Sequence, residues 1–242
     1  GPDCDGFWSH NNVFFGHRRL SIQDLSSNGN QPMVSSNNSY VIIFNGEIYN
    51  HLILRNESDY LKNKDFKSTS DTETLLELIQ EAGIDKALSL VDGMFAFCLF
   101  SIKENMLYLA RDRMGEKPLF YYENKNQFIF ASELKSILIY PNLNKTIDEF
   151  SARNFFSSGY ISNPNSIYKF IKKVNPASYI KYDIQINKIK EEIYWDIDNI
   201  VNNSKNKYSQ LSSNEAEELF EYHFKNSVNN QLISDVPVGS FL

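Results

Sequence analysis

Tyr40-Val41-Ile42-Ile43-Phe44-Asn45-Gly46-Glu47-Ile48-Tyr49-Asn50 sets an apolar run directly before an Asn-Gly pair. The run, over 40–44, is rich in the branched and aromatic residues that suit a pleated, half-buried strand. The ordinary reading of Asn-Gly after a strand is a hairpin turn, because both residues tolerate positive φ. The second reading is chemical. The Asn45 side-chain amide and the Gly46 N–H can form an oxyanion hole, two donors aimed at a carbonyl oxygen that becomes negative during acyl transfer. Gly46 suits that role because a reacting centre needs close approach of backbone.

Working outward, residues 13–15, 94–100, 106–110, 119–122 and 128–131 are runs of the same kind, and they predict further short strands. The polar connectors 101–105 and 123–126 have hairpin length, so the strands beside them are expected to pair antiparallel. One helix is predicted among the strands, over 71–82. Leu75, Leu78, Ile79 and Ala82 share a face at the i, i+3, i+4, i+7 spacing and Gly83 stops it. Ser70 and Glu73 have the spacing of a capping box. Stacked sheets are the expected architecture.

Residues 147–196 carry more strand-like segments, 178–182 among them, and read as the tail of the same domain. Residues 197–210, with Asn199, Asn202, Asn203, Ser204 and Asn206, have the polar character of a linker. A capping box Ser212-x-x-Glu215 then opens a helix with Ala216, Leu219, Phe220, Phe224 and Val228 on one face. The apolar segment 236–242 reads as the start of a strand. The expected division is a first domain over 1–196, a linker over 197–210 and the start of a second domain over 211–242.

With 242 residues, 42% of them apolar, the chain can bury a sizeable core. A net charge of −6 and a pI near 5.3 argue against nucleic acid as a partner, since phosphate binding calls for a clustered basic patch. The basic stretch 169–173 is short, interrupted by Phe170 and Ile171, and reads as a solvated strand or turn. No apolar stretch approaches the roughly 20 residues of a membrane helix. Two cysteines are too few for a disulfide framework and no secretory signal opens the sequence; a cytoplasmic location is the expectation.

Several other residues could do chemistry. In His17-Arg18-Arg19-Leu20-Ser21-Ile22, Arg19 is the candidate fork for a substrate carboxylate. Asp71 stands at a helix start, where carboxylates satisfy free N–H groups, and could also take a substrate ammonium if it faced a pocket. Carboxylate, ammonium and amide recognition together would describe glutamine. The charged stretch 110–119 reads as a structural turn. Cys98, among apolar neighbours, reads as core, and Cys4 reads as a loop residue without a basic partner nearby in sequence.

Seven segments taken together resemble one family. Gly1-Pro2-Asp3-x-x-Gly6, Arg19-Leu20-Ser21-Ile22, Asn45-Gly46-Glu47-Ile48-Tyr49-Asn50, Ser70-Asp71-Thr72-Glu73, Asp92-Gly93-Met94-Phe95-Ala96-Phe97, Arg111-Asp112-Arg113-x-Gly115-x-Lys117-Pro118-Leu119 and Ala131-Ser132-Glu133-Leu134-Lys135 stand in the order and spacing of the glutamine-hydrolysing asparagine synthetase B family. That family's first domain is a class II glutamine amidotransferase. The resemblance implies an α+β fold, the N-terminal-nucleophile αββα sandwich of two antiparallel sheets between helical layers, followed by the first helix and strand of an α/β synthetase domain of the ATP-pyrophosphatase type.

The resemblance also implies roles. Arg19 would hold the glutamine α-carboxylate with the backbone of Leu20, Ser21 and Ile22, and with Gln23 beside them. Asn45 and Gly46 would form the oxyanion hole, and Glu47 and Asp71 would complete the glutamine site. Leu242 would touch ATP, bound with Mg2+ in the second domain, where aspartate is activated and amidated; no resident metal is implied for this chain. The family's nucleophile is a terminal cysteine whose α-amino group, with a pKa around 8, can act as base. It precedes the motif in which this sequence begins, so the domain is expected to lack its N-terminal strand and that cysteine. Cys4 occupies a variable position and does not replace it, so no glutamate release is expected from the 242 residues alone. Glutamine is the expected partner, with aspartate and ATP for a full-length protein, possible homodimers, and neither nucleic acid nor membrane. Two other readings stand beside asparagine synthesis: amidation of a sugar or peptide carboxylate, and a non-catalytic glutamine-binding fragment.

Overall fold

The computed structural model describes residues 1–239. A hairpin of β1 (Cys4–His10) and β2 (Val13–Arg19) opens the chain, followed by β3 (Met33–Val34) and the long strand β4 (Tyr40–Ile48). Helices α1 (His51–Glu57), α2 (Asp71–Ala82) and α3 (Ile84–Leu90) come next. Two further hairpins follow, β5 (Gly93–Ser101) with β6 (Met106–Arg111) and β7 (Phe120–Asn124) with β8 (Gln127–Ala131). The remaining elements are α4 (Leu134–Leu138), α5 (Glu149–Ser158), β9 (Ile171–Lys173), β10 (Ser178–Asp183), β11 (Lys188–Ile193), α6 (Ile197–Tyr208) and α7 (Ser213–Asn230).

The strands form a six-stranded antiparallel sheet in the order β11-β10-β6-β5-β4-β3, a three-stranded sheet β8-β7-β9 and the two-stranded β1-β2. Side-chain alternation along β5 shows how they layer. Phe95, Phe97 and Leu99 join a core with Leu75, Leu76, Leu78 and Ile79 of α2. Ala96, Cys98 and Phe100 join a second core with Val13, Phe15 and Leu119, on the side of the smaller sheets. The outer face of the three-stranded sheet is closed by Ile137 of α4 against Tyr122 and Ile171. Helices, sheet, sheet, helix is the αββα order. Each fully buried Phe or Leu contributes roughly 1.5–3 kcal/mol, so the central sheet, apolar on both faces, dominates the stability.

The strands expected at 13–15, 40–44, 94–100, 106–110, 119–122, 128–131 and 178–182 are all present, most extended by a residue or more. The helix over Asp71–Ala82 runs to Gly83, whose φ of 80° ends it, and the Ser70 hydroxyl accepts Thr72 N–H. The capping box does not close: Glu73 turns back and accepts from Lys67 N–H, Ser68 N–H and the Ser68 hydroxyl. Three donors outbid the single N–H a box would offer. The box at Ser212 and Glu215 is formed in both directions.

Four expectations change. Asn45-Gly46 is not a turn but lies inside β4. Cys4 is not in a loop; it opens β1, where pairing with β2 overrides a polar, glycine-containing sequence. Residues 197–208, expected as an irregular polar segment, are helical, with the Asp196 carboxylate capping the N–H groups of Asp198 and Asn199. Residues 236–239 form no strand, and 240–242 lie outside the described residues.

Candidate active site

The N–H groups along β4 alternate between its two edges. Odd-numbered residues face β5, in line with the Tyr49 N–H that reaches the Asp92 carbonyl at 2.7 Å just beyond the strand. Even-numbered residues face the opposite edge, which β3 covers only at Val41 and Ile42. Beyond that cover, Phe44 N–H donates to Gln31 Oε1 at 2.6 Å and Ile48 N–H donates to Asp71 Oδ2 at 2.8 Å. The Gly46 N–H lies on the same edge between these two, with no strand opposite it among the described residues. Gly46 lines a cavity of about 970 Å³ there.

Gly46 is required for a second reason. Its φ is +153°, and a Cβ at this position would lie 2.1 Å from the Met94 carbonyl oxygen of β5. Gly93, the β5 partner of Ile48, is as tight, its Cβ position 2.1 Å from the Glu47 carbonyl oxygen. The two glycines let β4 and β5 close up where the free N–H is presented.

Asn45 and Glu47 line the cavity with Gly46. The Asn45 Nδ2 donates to the Ser132 hydroxyl at 3.3 Å, just past β8, which orients the amide. Burial pushes the Glu47 carboxyl up, and the nearby Lys117 charge opposes it. His17, also on the wall, places Nε2 3.2 Å from the Phe44 carbonyl and leaves Nδ1 buried with no partner among the described residues. Burial lowers its pKa, against that hydrogen bond, so the ring is neutral with the proton on Nε2.

Asp71 is 5% exposed and also lines the cavity. Burial raises its pKa to about 6, although Ile48 and Thr72 N–H groups favour the ionised form. The turn that carries it is fastened by Arg55 of α1, whose Nη1 and Nη2 donate to the carbonyls of Ser68 at 2.7 Å and Ser70 at 2.6 Å. No sequence pattern marks Arg55 for this, because these two partners are main-chain carbonyls; its Nε donates to the Thr74 hydroxyl at 2.6 Å.

Arg19 ends β2 at the cavity, but its terminal nitrogens are engaged by the loop that follows. Nη1 donates to the Ser26 carbonyl at 2.8 Å and to Asn30 Oδ1 at 3.0 Å. Nη2 donates to the Gln23 carbonyl at 3.1 Å and to that of Asp24. The guanidinium thus shapes a wall made by Leu20, Ile22 and Gln23. A Cβ on Gly29 would strike Nη2. Ser21 is not on that wall; its N–H donates to Asp3 Oδ2 at 2.7 Å.

The structure therefore gathers Arg19, Leu20, Ile22, Gln23, Asn45, Gly46, Glu47 and Asp71 around one cavity and adds His17, Gln31, Lys117 and Ser132, which sequence reading did not assign. Cys98 is buried in the core with its thiol pKa raised by burial, and neither it nor Cys4 lines the cavity. Leu242 lies outside the described residues. The charged turn is structural: Asp112 accepts from the N–H groups of Phe95, Met114, Glu116 and Lys117. Among the described residues no group of three or more His, Cys, Asp or Glu side chains could hold a metal ion, and no helix is long and apolar enough to cross a membrane.

A family model described as a glutamine amidotransferase domain matches residues 1–195. Among curated proteins, asparagine synthetase [glutamine-hydrolyzing] 3 of Bacillus subtilis is 35% identical over 245 residues, covering 100% of this chain and 38% of its own length. Asparagine synthetase [glutamine-hydrolyzing] 1 of the same organism is 37% identical over 245 residues, covering 100% and 36%. The chain thus spans well under half the length of these relatives. Among solved structures, the glutamine phosphoribosylpyrophosphate amidotransferase of B. subtilis aligns with a TM-score of 0.51 at 22% identity, over 74% of this chain and 34% of that one. This last likeness is one of fold.

Proposed function

The chain belongs to the glutamine amidotransferase domain family, and on that premise we propose that it is the glutamine-hydrolysing part of an asparagine synthetase. The observation that carries the reading is the unpaired Gly46 N–H on the open edge of β4, with the Asn45 amide and the Asp71 carboxylate at the same cavity. In this reading a thiolate adds to the side-chain amide carbon of glutamine, and the oxygen that becomes negative is met by the Gly46 N–H and Asn45 Nδ2. Collapse expels ammonia as the base returns to the amide nitrogen the proton it took from the thiol, and water then releases glutamate from the thioester. The family resemblance places the nucleophilic cysteine upstream of Gly1, which itself lines the cavity that holds these donors.

Asp71 takes the substrate ammonium, with Glu47 nearby as a second carboxylate. The α-carboxylate is drawn by the Arg19 charge and by the backbone of the wall that Arg19 shapes; direct contact with its terminal nitrogens would require displacing a loop acceptor. The names of the relatives support aspartate as the acceptor. ATP and Mg2+ would act in a second domain beginning near residue 211, after the 197–210 segment, and the end of the family match at residue 195 agrees with that division.

The test uses the full-length protein with glutamine, aspartate and Mg-ATP. Glutamate and asparagine formed together support the reading, and Asn45→Ala should lower kcat for glutamate release by about 10²–10³-fold. Glutamate without asparagine would move the acceptor to another carboxylate, and no glutamate would overturn the reading.

A further inference from the structure

The backbone of residues 22–24, of which Ile22 and Gln23 line the cavity, is gripped from two sides. From β2, Arg19 holds the carbonyls of Gln23 and Asp24. From the segment after α7, Asp235 closes a reciprocal pair: its N–H donates to the Ile22 carbonyl at 2.9 Å, and its Oδ2 accepts the Asp24 N–H at 2.8 Å. Asp24 between them sits at φ 53°, a left-handed conformation that a non-glycine residue keeps only when its neighbours over-determine it. Its own carboxylate reaches the Ser26 N–H at 2.9 Å and the Thr69 N–H at 2.8 Å, two residues before Asp71. A contact spanning 211 residues of sequence therefore closes on the element that joins Arg19 to the Asp71 turn.

We propose that Asp235 is a positioning residue for glutamine binding. It holds the wall at 22–24 in the conformation that presents Ile22 and Gln23 to the cavity, and so ties the shape of the site to a segment beyond the family-matched residues 1–195. The inference rests on the reading of the cavity as a glutamine site. The carboxylate supplies a charge-assisted hydrogen bond to Asp24 N–H, and loss of such a bond is worth about tenfold in an equilibrium.

In the full-length protein, Asp235→Ala is expected to raise KM for glutamine about tenfold while kcat for glutamate release stays within about twofold. Asp235→Asn keeps an acceptor oxygen for the Asp24 N–H and should restore most of the affinity. Hydrogen exchange of the 22–26 amides, measured without ligand, should accelerate in Asp235→Ala and not in Asp235→Asn. Unchanged exchange in Asp235→Ala overturns the proposal, and so does faster exchange with an unchanged KM. A wild-type protein that releases no glutamate counts against the glutamine reading instead, while the exchange measurement still decides whether Asp235 holds the wall.

Discussion

Ile48 N–H donates to Asp71 Oδ2 at 2.8 Å, which joins the far end of β4 to the first turn of α2 through a carboxylate at the cavity wall. The same side chain thus fixes the strand edge and faces the space a substrate would enter. Both duties respond to its protonation.

Burial raises the Asp71 pKa to about 6, whereas an unfolded aspartate titrates near 4. Between those values the folded state binds more protons than the unfolded state, so the Asp71 contribution to stability is full below about pH 4 and is lost as pH rises through about 6. Asp71→Asn, which keeps an acceptor for Ile48, should therefore unfold later than wild type at pH 7.5, by up to about 3 kcal/mol. The gap should vanish below pH 4. Urea titrations of both proteins across pH measure it. The same substitution should abolish glutamine binding, and wild-type affinity should weaken below about pH 6 as the carboxylate loses its charge.

Gly46→Ala places a methyl against the Met94 carbonyl at a φ that alanine disfavours. The expected cost is about 3 kcal/mol, with β4 and β5 forced apart. Asn45→Ala leaves that contact alone. Thermal unfolding should separate the two: a stable Asn45→Ala with depressed turnover, and a destabilised Gly46→Ala. Equal melting temperatures would show that the strand spacing is not what demands glycine.

Asp112 is 1% exposed and accepts four N–H groups. Asp112→Ala strands the buried Phe95 N–H and leaves the part-buried N–H groups of Met114, Glu116 and Lys117 without their acceptor, and should cost about 3–4 kcal/mol, lowering Tm by roughly 10 °C. Differential scanning calorimetry reads this directly, and a shift under a few degrees would mean that water replaces the carboxylate.

Cys4 pairs with Arg19 in the β1–β2 ladder and does not line the cavity. Cys4→Ser in the full-length protein should release glutamate at the wild-type rate within about twofold. Loss of turnover would make Cys4 a nucleophile and relocate the reaction.

The strands and α2 were legible because their periodic patterns coincide with their burial: alternate residues of β5 enter different cores, and Leu75, Leu78 and Ile79 lie on one helix face. β1 was not, because Asp5, Gly6, Ser9 and His10 look like loop and only the ladder to β2 makes them strand. Glu73 shows the limit of local motifs, since two bonding patterns fit the same spacing and the loop at 67–68 offers more donors. The site residues could be recognised as a set, while the bonds by which Gln31, Arg55 and Asp235 hold the site wall go to main-chain groups, which no side-chain pattern encodes. The Arg19 fork was expected to point at substrate; its loop partners Ser26 and Asn30 lie several residues on, where sequence gives no hint of the fold-back.

The free donor of β4 is set by parity. Phe44, Gly46 and Ile48 share an edge because they are two residues apart, so deleting one residue between β3 pairing and Asn45 would turn the Gly46 N–H inward to β5 and carry Asn45 to the opposite face. Removing two residues would shorten the strand yet keep its sense. Length variation here is therefore not graded in its effect: an odd step turns the donor away from the cavity, and a two-residue step keeps its direction but moves it about 7 Å along the edge, away from its place beside Asp71.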